Sequence, residues 1–313
     1  MRCYYSDTFV LPLPEGHRFP MAKYSGLRER LLSDGIVRPG DLIEAPQAAW
    51  DDLLLVHTPE YAAAVRDGTL SREAQRRIGF PWSAQMVERS RRSVGATIAA
   101  AQAVREDWYA ANLAGGTHHA FADRGEGYCV FNDVAVAARV VQRDRLAERI
   151  AVIDCDVHPG NGTAAIFHDD PSVWTLSLHG AKNYPFKKEI SNLDVELDDG
   201  TTDEPYLAKL AHSLEMVFAY SPDLVFYLAG ADPYEGDRLG RLKLTIAGLE
   251  RRDRMVLGRC RAAGVPVVIT MSGGYAPDID AIVTIHTNTI RTAVELSSAL
   301  SPDDFHAEIP TSH

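Results

Sequence analysis

The sequence has few of the features that mark secreted, disulfide-rich or membrane-spanning proteins. Its four cysteines, Cys3, Cys129, Cys155 and Cys260, form no CxxC pair and no zinc-finger spacing, which is typical of reduced thiols in a cytosolic protein. The first residues, MRCYYSDTFV, lack the apolar run of a secretion signal. No stretch approaches the roughly 20 apolar residues that a membrane helix needs. We therefore expect a cytoplasmic protein without a membrane partner.

Basic residues are also scarce, because 32 Lys and Arg stand against 43 Asp and Glu and leave a net charge of −11. Nucleic acids and anionic membranes are bound by basic surfaces, so this balance argues against both as partners. An acidic surface would instead tolerate or mildly attract a basic substrate. The phosphate-binding GxxxxGK[ST] loop, the dinucleotide-binding GxGxxG fingerprint and the GxSxG elbow of serine hydrolases are all missing from the sequence.

Short apolar runs alternate with helix-like stretches along the chain. The runs lie near residue 3 and at 53–57, 111–116, 149–156, 173–178, 223–230 and 265–274, and the helix-like stretches include 83–103, 133–145, 203–219 and 245–263. Several runs are continuous, as in strands buried on both faces of a parallel sheet. The alternation predicts an α/β fold, with one doubly wound domain over 1–313. The longest irregular piece, 179–202, is a candidate functional loop.

Polar residues gather where the predicted strands end. The sequence GGTHH begins at residue 115, DCDVHPGNG at 154, AGAD at 229 and SGGY at 272. In open parallel sheets, ligands bind beyond the carboxyl ends of the strands. We therefore expect these four clusters to meet in one place.

The segment DCDVH has the pattern of a metal site. In an extended chain Asp154, Asp156 and His158 lie on one side, although an isolated D-x-D-x-H is as often a capping or turn sequence. The case is stronger because Asp232 arrives from another strand end, and crowded carboxylates stay protonated unless a cation neutralises them. We predict a divalent metal on Asp156, His158 and Asp232. Three ligands leave coordination positions free, as a catalytic site requires.

Two histidines and a tyrosine are predicted to act beside this metal. A carboxylate that accepts from an imidazole N–H fixes its tautomer, and Asp154 is the candidate partner of His118. Alone, His118 and His119 would be ordinary loop histidines, but metal-assisted hydrolysis needs a base and an acid. Tyr275 follows two glycines at a strand end, where its phenol could stabilise an oxyanion.

Together these clusters resemble the histone deacetylase family of the arginase–deacetylase fold, most closely class IV and its bacterial relatives. The matching pieces are GHRFPMAKY (16–24), HTPEY (57–61), GGTHHA (115–120), GYCVFND (127–133), DCDVHPGNG (154–162), AGADPYEGDRLG (229–240) and SGGY (272–275). The resemblance implies a central parallel sheet of about eight strands flanked by helices. It also implies removal of an acyl group, such as acetyl, from Nε-acyl-lysine by a water molecule that the metal activates.

The resemblance implies zinc, and in some members iron, at the predicted metal site. His119 would be the general base and proton donor, with His118 beside it held by Asp154. Tyr275 would hydrogen-bond the substrate carbonyl and stabilise the oxyanion. Many members have a second acidic residue, as a partner for the second histidine, where this chain has Asn161. A neutral amide at this position would leave His119 less basic than His118, whose partner Asp154 is charged.

The resemblance also implies how an acyl-lysine is held. The carbonyl of Gly127 would accept from the substrate amide, while Tyr128 would form one tunnel wall and either Tyr184 or Phe186 the other. Arg18 would line an inner cavity through which acetate leaves. Further substrate contacts would come from Gly273, Gly274 and Leu239. A structural potassium would be bound by the backbone carbonyls of Asp154, Asp156 and His158 together with Ser177 and Leu178.

Other activities stay open at this point. A polyamine deacetylase often has an acidic residue where this chain has Leu239, although Asp7 or Asp123 could replace it. Long-chain lysine deacylation depends on the width of the tunnel. A binuclear manganese ureohydrolase would need a carboxylate where Tyr234 stands, and a non-catalytic acyl-lysine binder would lack the tyrosine or a histidine of the site. The sequence contains no signature of an assembly interface.

Overall fold

The computed structural model describes residues 1–14 and 16–298. Its strands in chain order are β1 (Cys3–Tyr5), β2 (Leu42–Glu44), β3 (Tyr109–Asn112), β4 (Ile150–Asp154), β5 (Val173–Gly180), β6 (Leu193–Leu197), β7 (Leu224–Leu228) and β8 (Val267–Thr270). They form one sheet in the order β2-β1-β3-β8-β7-β4-β5-β6, and every neighbouring pair is parallel. The predicted α/β fold with about eight parallel strands is thus confirmed. The predicted domain range 1–313 extends into 299–313, which lie outside the described residues.

Helices pack on both faces of the sheet. They are α1 (Ala22–Ser33), α2 (Trp50–Leu53), α3 (Pro59–Asp67), α4 (Arg72–Ile78), α5 (Ala84–Asp107), α6 (Asp133–Arg143), α7 (Asn161–Phe167), α8 (Asp203–Ala219), α9 (Ile246–Ala262) and α10 (Ile279–Ser298), with a 3-10 turn at Pro39–Asp41. Alternate residues of β4 enter two separate cores. Ala151 and Ile153 pack with α8 and α9, and Ile150 and Val152 pack with α5 and α6. Two buried faces explain why the strands have continuous apolar sequences.

The prediction of a strand at 53–57 is wrong. Leu53 ends the short helix α2, and Leu54 and Leu55 are 43% and 38% exposed. The carboxylates of Asp51 and Asp52 favour a helix start, and a short apolar run does not by itself distinguish a strand from a helix.

Two short strands were not predicted from the sequence. The irregular stretch 179–202 contains β6, whose Asp194 and Glu196 interrupt its apolar pattern as expected for a sheet edge. The other edge strand, β2, has only three residues. All four cysteines are buried and free, in agreement with the sequence. Within the described part of the chain, every helix is too short or too polar to cross a membrane.

The four polar clusters follow four strands that are neighbours in the sheet. The order β3-β8-β7-β4 is uninterrupted. The last residues of these strands are also in register, since Asn112 pairs with Thr270, Thr270 with Leu228, and Leu228 with Asp154. The strands therefore end at one level, and the segments after them emerge at the same edge of the sheet.

A buried ion pair on α9 fixes the segment after β7. Arg252 Nη2 lies 2.8 Å from Asp253 Oδ1, and both side chains are fully buried. The Tyr227 hydroxyl donates to Asp253 at 2.5 Å, and Arg252 Nη1 donates to the carbonyl of Gly230 at 2.6 Å. Because Gly230 lies two residues before Asp232, α9 holds the backbone from which this carboxylate projects.

Helix α5 approaches the 46–48 loop too closely for a side chain at Gly95, where a Cβ would lie 2.0 Å from the Pro46 carbonyl oxygen. We expect Gly95→Ala to lower the free energy of unfolding in urea by about 1–3 kcal/mol, because backbone atoms have to move. The control is Gly258→Ala on α9, where a Cβ meets no atom within 4 Å. This change should raise stability by about 0.5–1 kcal/mol. Equal effects of the two substitutions would contradict the packing.

Candidate active site

Three side chains from two adjacent strand ends form a compact cluster. Asp156 and His158 follow β4, and Asp232 follows β7. One ligand atom from each lies within 4.8 Å of the others. His158 Nδ1 is 3.0 Å from Asp156 Oδ1 and 3.2 Å from Asp232 Oδ2, and all three residues are buried. The structure thus brings the predicted metal ligands together.

Donors from the backbone and a hydroxyl hold both carboxylates in place. Asp156 Oδ2 accepts from the Gly273 N–H and the Ser272 hydroxyl, each at 2.7 Å. Asp232 Oδ1 accepts from the Val157 N–H at 2.9 Å. A Cβ at position 273 would lie 1.9 Å from Asp232 Oδ2, so only glycine fits there. The SGGY segment therefore forms a wall of the cluster as well as carrying the tyrosine.

Burial and neighbouring charges give the three groups very different proton affinities. Burial, and next the charge of Asp156, raises the pKa of Asp232 to about 7. Burial would also raise the pKa of Asp156, but His118 and His158 hold it well below its usual range. Burial opposes charge on His158, yet its contacts with the two carboxylates raise its pKa to about 10. Two buried carboxylates and an imidazole in mutual contact are a donor set that fits a divalent cation.

His118 and His119 lie against each other, with ring centroids 4.2 Å apart. His118 Nδ1 is 2.5 Å from Asp154 Oδ2, which is the contact expected from the sequence. Burial lowers the pKa of His118, but Asp154 and Asp156 outweigh it and raise the pKa to about 9. Burial, with the charges of His118 and His158, holds the pKa of His119 well below its usual range. His119 is therefore much less basic than the adjacent His118.

Asn161 does not partner His119, contrary to the arrangement implied by the resemblance. Its amide nitrogen donates to the Lys187 carbonyl at 2.9 Å, and its amide oxygen accepts from the Glu189 N–H at 3.1 Å. Among the residues that the structure describes, none hydrogen-bonds to the buried Nδ1 of His119. Asn161 instead anchors the 181–190 loop. The low basicity of His119 thus comes from burial and neighbouring charge rather than from a neutral amide.

Asp133 holds the loop that carries the two histidines. Its carboxylate accepts from the Gly116 N–H at 3.0 Å and from the Thr117 N–H at 2.7 Å. The hydroxyls of Thr117 and Thr97 each donate to it at 2.6 Å. This residue begins α6, where a carboxylate is also favoured by the helix dipole. An acid at a helix start resembles a simple capping residue, which is why its role was not predicted.

Aromatic side chains line one side of the approach to the cluster. The ring centroid of Tyr128 lies 5.3 Å from those of Phe19 and Phe80 and 5.9 Å from that of Tyr275. Gly127 and Tyr128 have φ values of 55° and 66°, a conformation that turns the chain back toward the site. Phe19 lies in the HRFP sequence at 17–20, and no role was predicted for it.

Of the two aromatics left open as the second tunnel wall, Tyr184 rather than Phe186 lies beside the cluster. The ring of Tyr184 lies edge-on to His119 with centroids 5.8 Å apart. Its hydroxyl donates to the carboxylate of Glu126, which fixes the ring. Phe186, in contrast, is 85% exposed.

A single carboxylate, Asp237, positions both Tyr275 and Leu239. One of its oxygens accepts from the N–H groups of Leu239 and Gly240 at 2.7 and 2.9 Å. The other accepts from the Tyr275 N–H at 2.6 Å. This residue lies in the quoted EGDRLG sequence, but a loop aspartate gives no sequence signal that distinguishes such a clamp from an ordinary turn.

The buried side chain of Lys23 supports the SGGY segment from beneath. It is 2% exposed, and its Nζ donates to the carbonyls of Ser272 and Gly274 at 3.3 Å each. The same nitrogen lies 5.3 Å from the centroid of the Tyr275 ring. An ammonium group thus faces the aromatic ring whose hydroxyl is proposed to act in the site.

Arg18 does not line an inner cavity, so this expectation is wrong. It is exposed and borders an outer cavity of about 360 Å3 together with Leu239 and Tyr275. The next residue, Phe19, borders both the inner cavity and the metal-site cavity. The inner cavity of about 50 Å3 is bordered instead by Arg89, which is 8% exposed.

The predicted potassium ligands lie on adjacent strands. Asp154 of β4 pairs with Ser177 of β5, which brings the two segments side by side. The Ser177 hydroxyl lies 2.9 Å from His179 Nδ1. Potassium binding at this position stays a prediction.

Comparisons with known proteins identify relatives of this chain. A family model described as histone deacetylase domain matches residues 17–290. An uncharacterized protein of Picosynechococcus sp. is 49% identical over 292 residues, covering 92% of this chain and 97% of that protein. Histone deacetylase 2 of Arabidopsis thaliana is 34% identical over 287 residues, or 86% of this chain and 72% of that protein. The acetoin utilization protein AcuC of Bacillus subtilis is 34% identical over 239 residues, covering 69% of this chain and 62% of that protein.

Solved structures share the same fold. The crystal structure of an HDAC homolog complexed with SAHA superposes with a TM-score of 0.83 at 26% identity, covering 96% of this chain and 85% of that one. The HDA15 HD domain superposes with a TM-score of 0.77 at 24% identity, covering 94% and 88%, which supports the fold. With a family match over most of its length and the arginase–deacetylase fold around a cluster of metal-ligating side chains, this chain belongs to the histone deacetylase family.

Proposed function

We propose that the chain is a single-domain, metal-dependent deacetylase that removes an acetyl group from Nε-acetyl-lysine in a protein or peptide. One observation carries this proposal: a single cavity is bordered by metal-ligating side chains, both adjacent histidines and a tyrosine. Its lining includes Asp156, His158, His118, His119 and Tyr275. These groups together supply every role that hydrolysis of an amide requires.

Asp156, His158 and Asp232 would hold the metal, for which we propose zinc, with iron(II) as the alternative. Two carboxylates and one imidazole suit either ion. The chemistry that the metal supplies when bound is polarisation of the substrate carbonyl and activation of a water molecule. A structural potassium on the backbone of 154–158 and 177–178 is a further part of the proposal.

The two histidines have different roles in the proposed reaction. Because His119 is neutral near pH 7, it can accept a proton from the attacking water and pass it to the lysine Nε of the leaving amine. His118 stays protonated through its contact with Asp154. Its positive charge both keeps His119 neutral and favours the oxyanion that forms on the substrate.

The remaining groups orient the acyl-lysine. Partial burial holds the pKa of Tyr275 well above its usual value, so its hydroxyl stays protonated and can donate to the substrate carbonyl. The Gly127 carbonyl accepts from the substrate amide N–H. Tyr128 and Tyr184 flank the aliphatic part of the lysine and exclude water from it.

The acetylpolyamine alternative has less support in the structure. The position of an acidic gatekeeper is occupied by Leu239. Asp7 forms an ion pair with Arg28 at 2.9 Å, and Asp123 forms one with Arg124 at 2.9 Å. Both carboxylates therefore already have cationic partners and do not replace the gatekeeper.

Release of acetate from an acetyl-lysine peptide by the purified full chain is the direct test. We expect a chelator to abolish turnover and zinc or iron(II) to restore it. Asp232→Asn should lose both metal content and activity, because a charged ligand is removed. The control Asp169→Asn changes an exposed carboxylate between α7 and β5, away from the strand ends that form the site, and should retain both. Metal-loaded wild-type protein that hydrolyses no acyl-amine would refute the proposal.

Replacing Tyr275 with Phe removes the hydroxyl but keeps the ring and the backbone contact with Asp237. We expect kcat to fall by about 10²–10³-fold, as for the loss of one oxyanion donor, with little change in thermal stability. The matched control is Tyr220→Phe, which removes a hydroxyl that donates to the Pro171 carbonyl at 2.9 Å. It should leave kcat unchanged, and a fully active Tyr275→Phe enzyme would eliminate the assigned role.

A further inference from the structure

The entrance to the site is lined by arginines although the chain is acidic overall. Arg18 and Arg238 border the outer cavity of about 360 Å3 with Leu239 and Tyr275. Both guanidinium groups are exposed, and neither forms an ion pair or a hydrogen bond with any residue in the described ranges. Tyr275 borders both this cavity and the metal-site cavity. The two arginines therefore stand directly outside the reacting centre.

A second arginine pair lies on the other side of the aromatic wall. Arg72 and Arg76 border a concave surface of about 480 Å3 next to Gly79. Gly79 lies against the ring of Tyr128, because a Cβ at position 79 would come within 2.8 Å of that ring. The concave surface therefore adjoins the aromatic wall. The next arginine along α4 is neutralised, since Arg77 pairs with Glu73 at 3.1 Å. A second arginine pair thus borders a surface that adjoins the ring of Tyr128.

Two acidic side chains near the entrance, Asp237 and Glu126, are already engaged. Asp237 uses both oxygens to accept backbone N–H groups, including that of Tyr275. Glu126 accepts from the Tyr184 hydroxyl. Neither carboxylate is placed to neutralise Arg18 or Arg238. Among the described residues that border the outer cavity, the two arginines are the charged ones.

We propose that Arg18 and Arg238 form a subsite for a substrate carboxylate beside the acylated lysine. The proposal rests on the deacetylase function proposed above. With the acyl group at the metal cluster and the lysine chain along the aromatic wall, the lysine α-carbon lies at the entrance. A carboxylate there is within the region bordered by the two guanidinium groups, which bind carboxylates through paired N–H donors.

Two sources can present this carboxylate: the α-carboxylate of free Nε-acetyl-lysine, or an acidic residue next to acetyl-lysine in a peptide. The same arginines disfavour a second ammonium group at the entrance, since like charges repel. The subsite therefore selects acidic substrates over acetylpolyamines by attraction and repulsion together.

Two matched substrate pairs test this inference. The first is α-N-blocked Nε-acetyl-lysine and its α-carboxamide; the second is an acetyl-lysine peptide flanked by Glu and the same peptide flanked by Gln. The ratio of kcat/KM within each pair is measured for the wild type, the Arg18→Gln/Arg238→Gln double variant, and Arg105→Gln. Arg105 is an exposed arginine near the end of α5, just before the amino end of β3, which makes it a control distant from the site.

We expect the wild type to prefer the carboxylate member of at least one pair by about tenfold at low ionic strength. The pair that shows this preference identifies the source of the carboxylate. In the double variant the ratio should fall to about one, whereas Arg105→Gln should keep the wild-type ratio. Thermal unfolding of each variant verifies that it is folded.

No preference in either pair, or a preference that survives in the double variant, overturns the inference. If no substrate is hydrolysed, the proposed function fails, and calorimetric binding of the same four compounds then decides the subsite separately. Tighter binding of a carboxylate compound that is lost in the double variant supports the subsite. Equal binding of both members of each pair by the wild type rejects it.

Discussion

The structure depends on the contact of two buried carboxylates with one imidazole at the ends of neighbouring parallel strands. The ligand atoms of Asp156, His158 and Asp232 lie within 4.8 Å of one another, and all three residues are buried. Such an arrangement is costly unless a cation neutralises it. The surrounding features serve it directly: a glycine at 273 makes room for the carboxylates, and the buried Arg252 fixes the backbone before Asp232.

The same electrostatics divide the work of the neighbouring histidines. The carboxylate of Asp154 keeps His118 protonated, and the charge of His118 in turn helps to keep His119 neutral. Two adjacent residues of one type therefore have very different proton affinities, as the proposed roles of base and stabilising cation require. Their irregular loop is essential, since adjacent side chains on a helix or strand point in different directions. The carboxylate of Asp133 holds this loop in shape.

The sequence predicted the centre of the site better than its periphery. The fold and the metal ligands could be predicted from the pattern of the strands and from the tendency of ligands to bind beyond the carboxyl ends of parallel strands. The position of a residue such as Asp156 is set by the backbone alone, which makes it predictable. Motif resemblance supplied positions but not side-chain directions, so Arg18 and Asn161 were placed wrongly. The role of Asp237 was not predicted. Its carboxylate accepts from backbone N–H groups of separate segments, and such contacts leave no local signal in the sequence.

The most direct test of the central claim is anomalous diffraction from crystals of the protein loaded with zinc. The account predicts one strong anomalous peak within bonding distance of Asp156, His158 and Asp232, at about 2.0–2.2 Å from their ligand atoms. Substitution of Asp232 by Asn should weaken or remove this peak. A zinc-loaded crystal with no peak among these three side chains, or with its peak on other residues, would contradict the account.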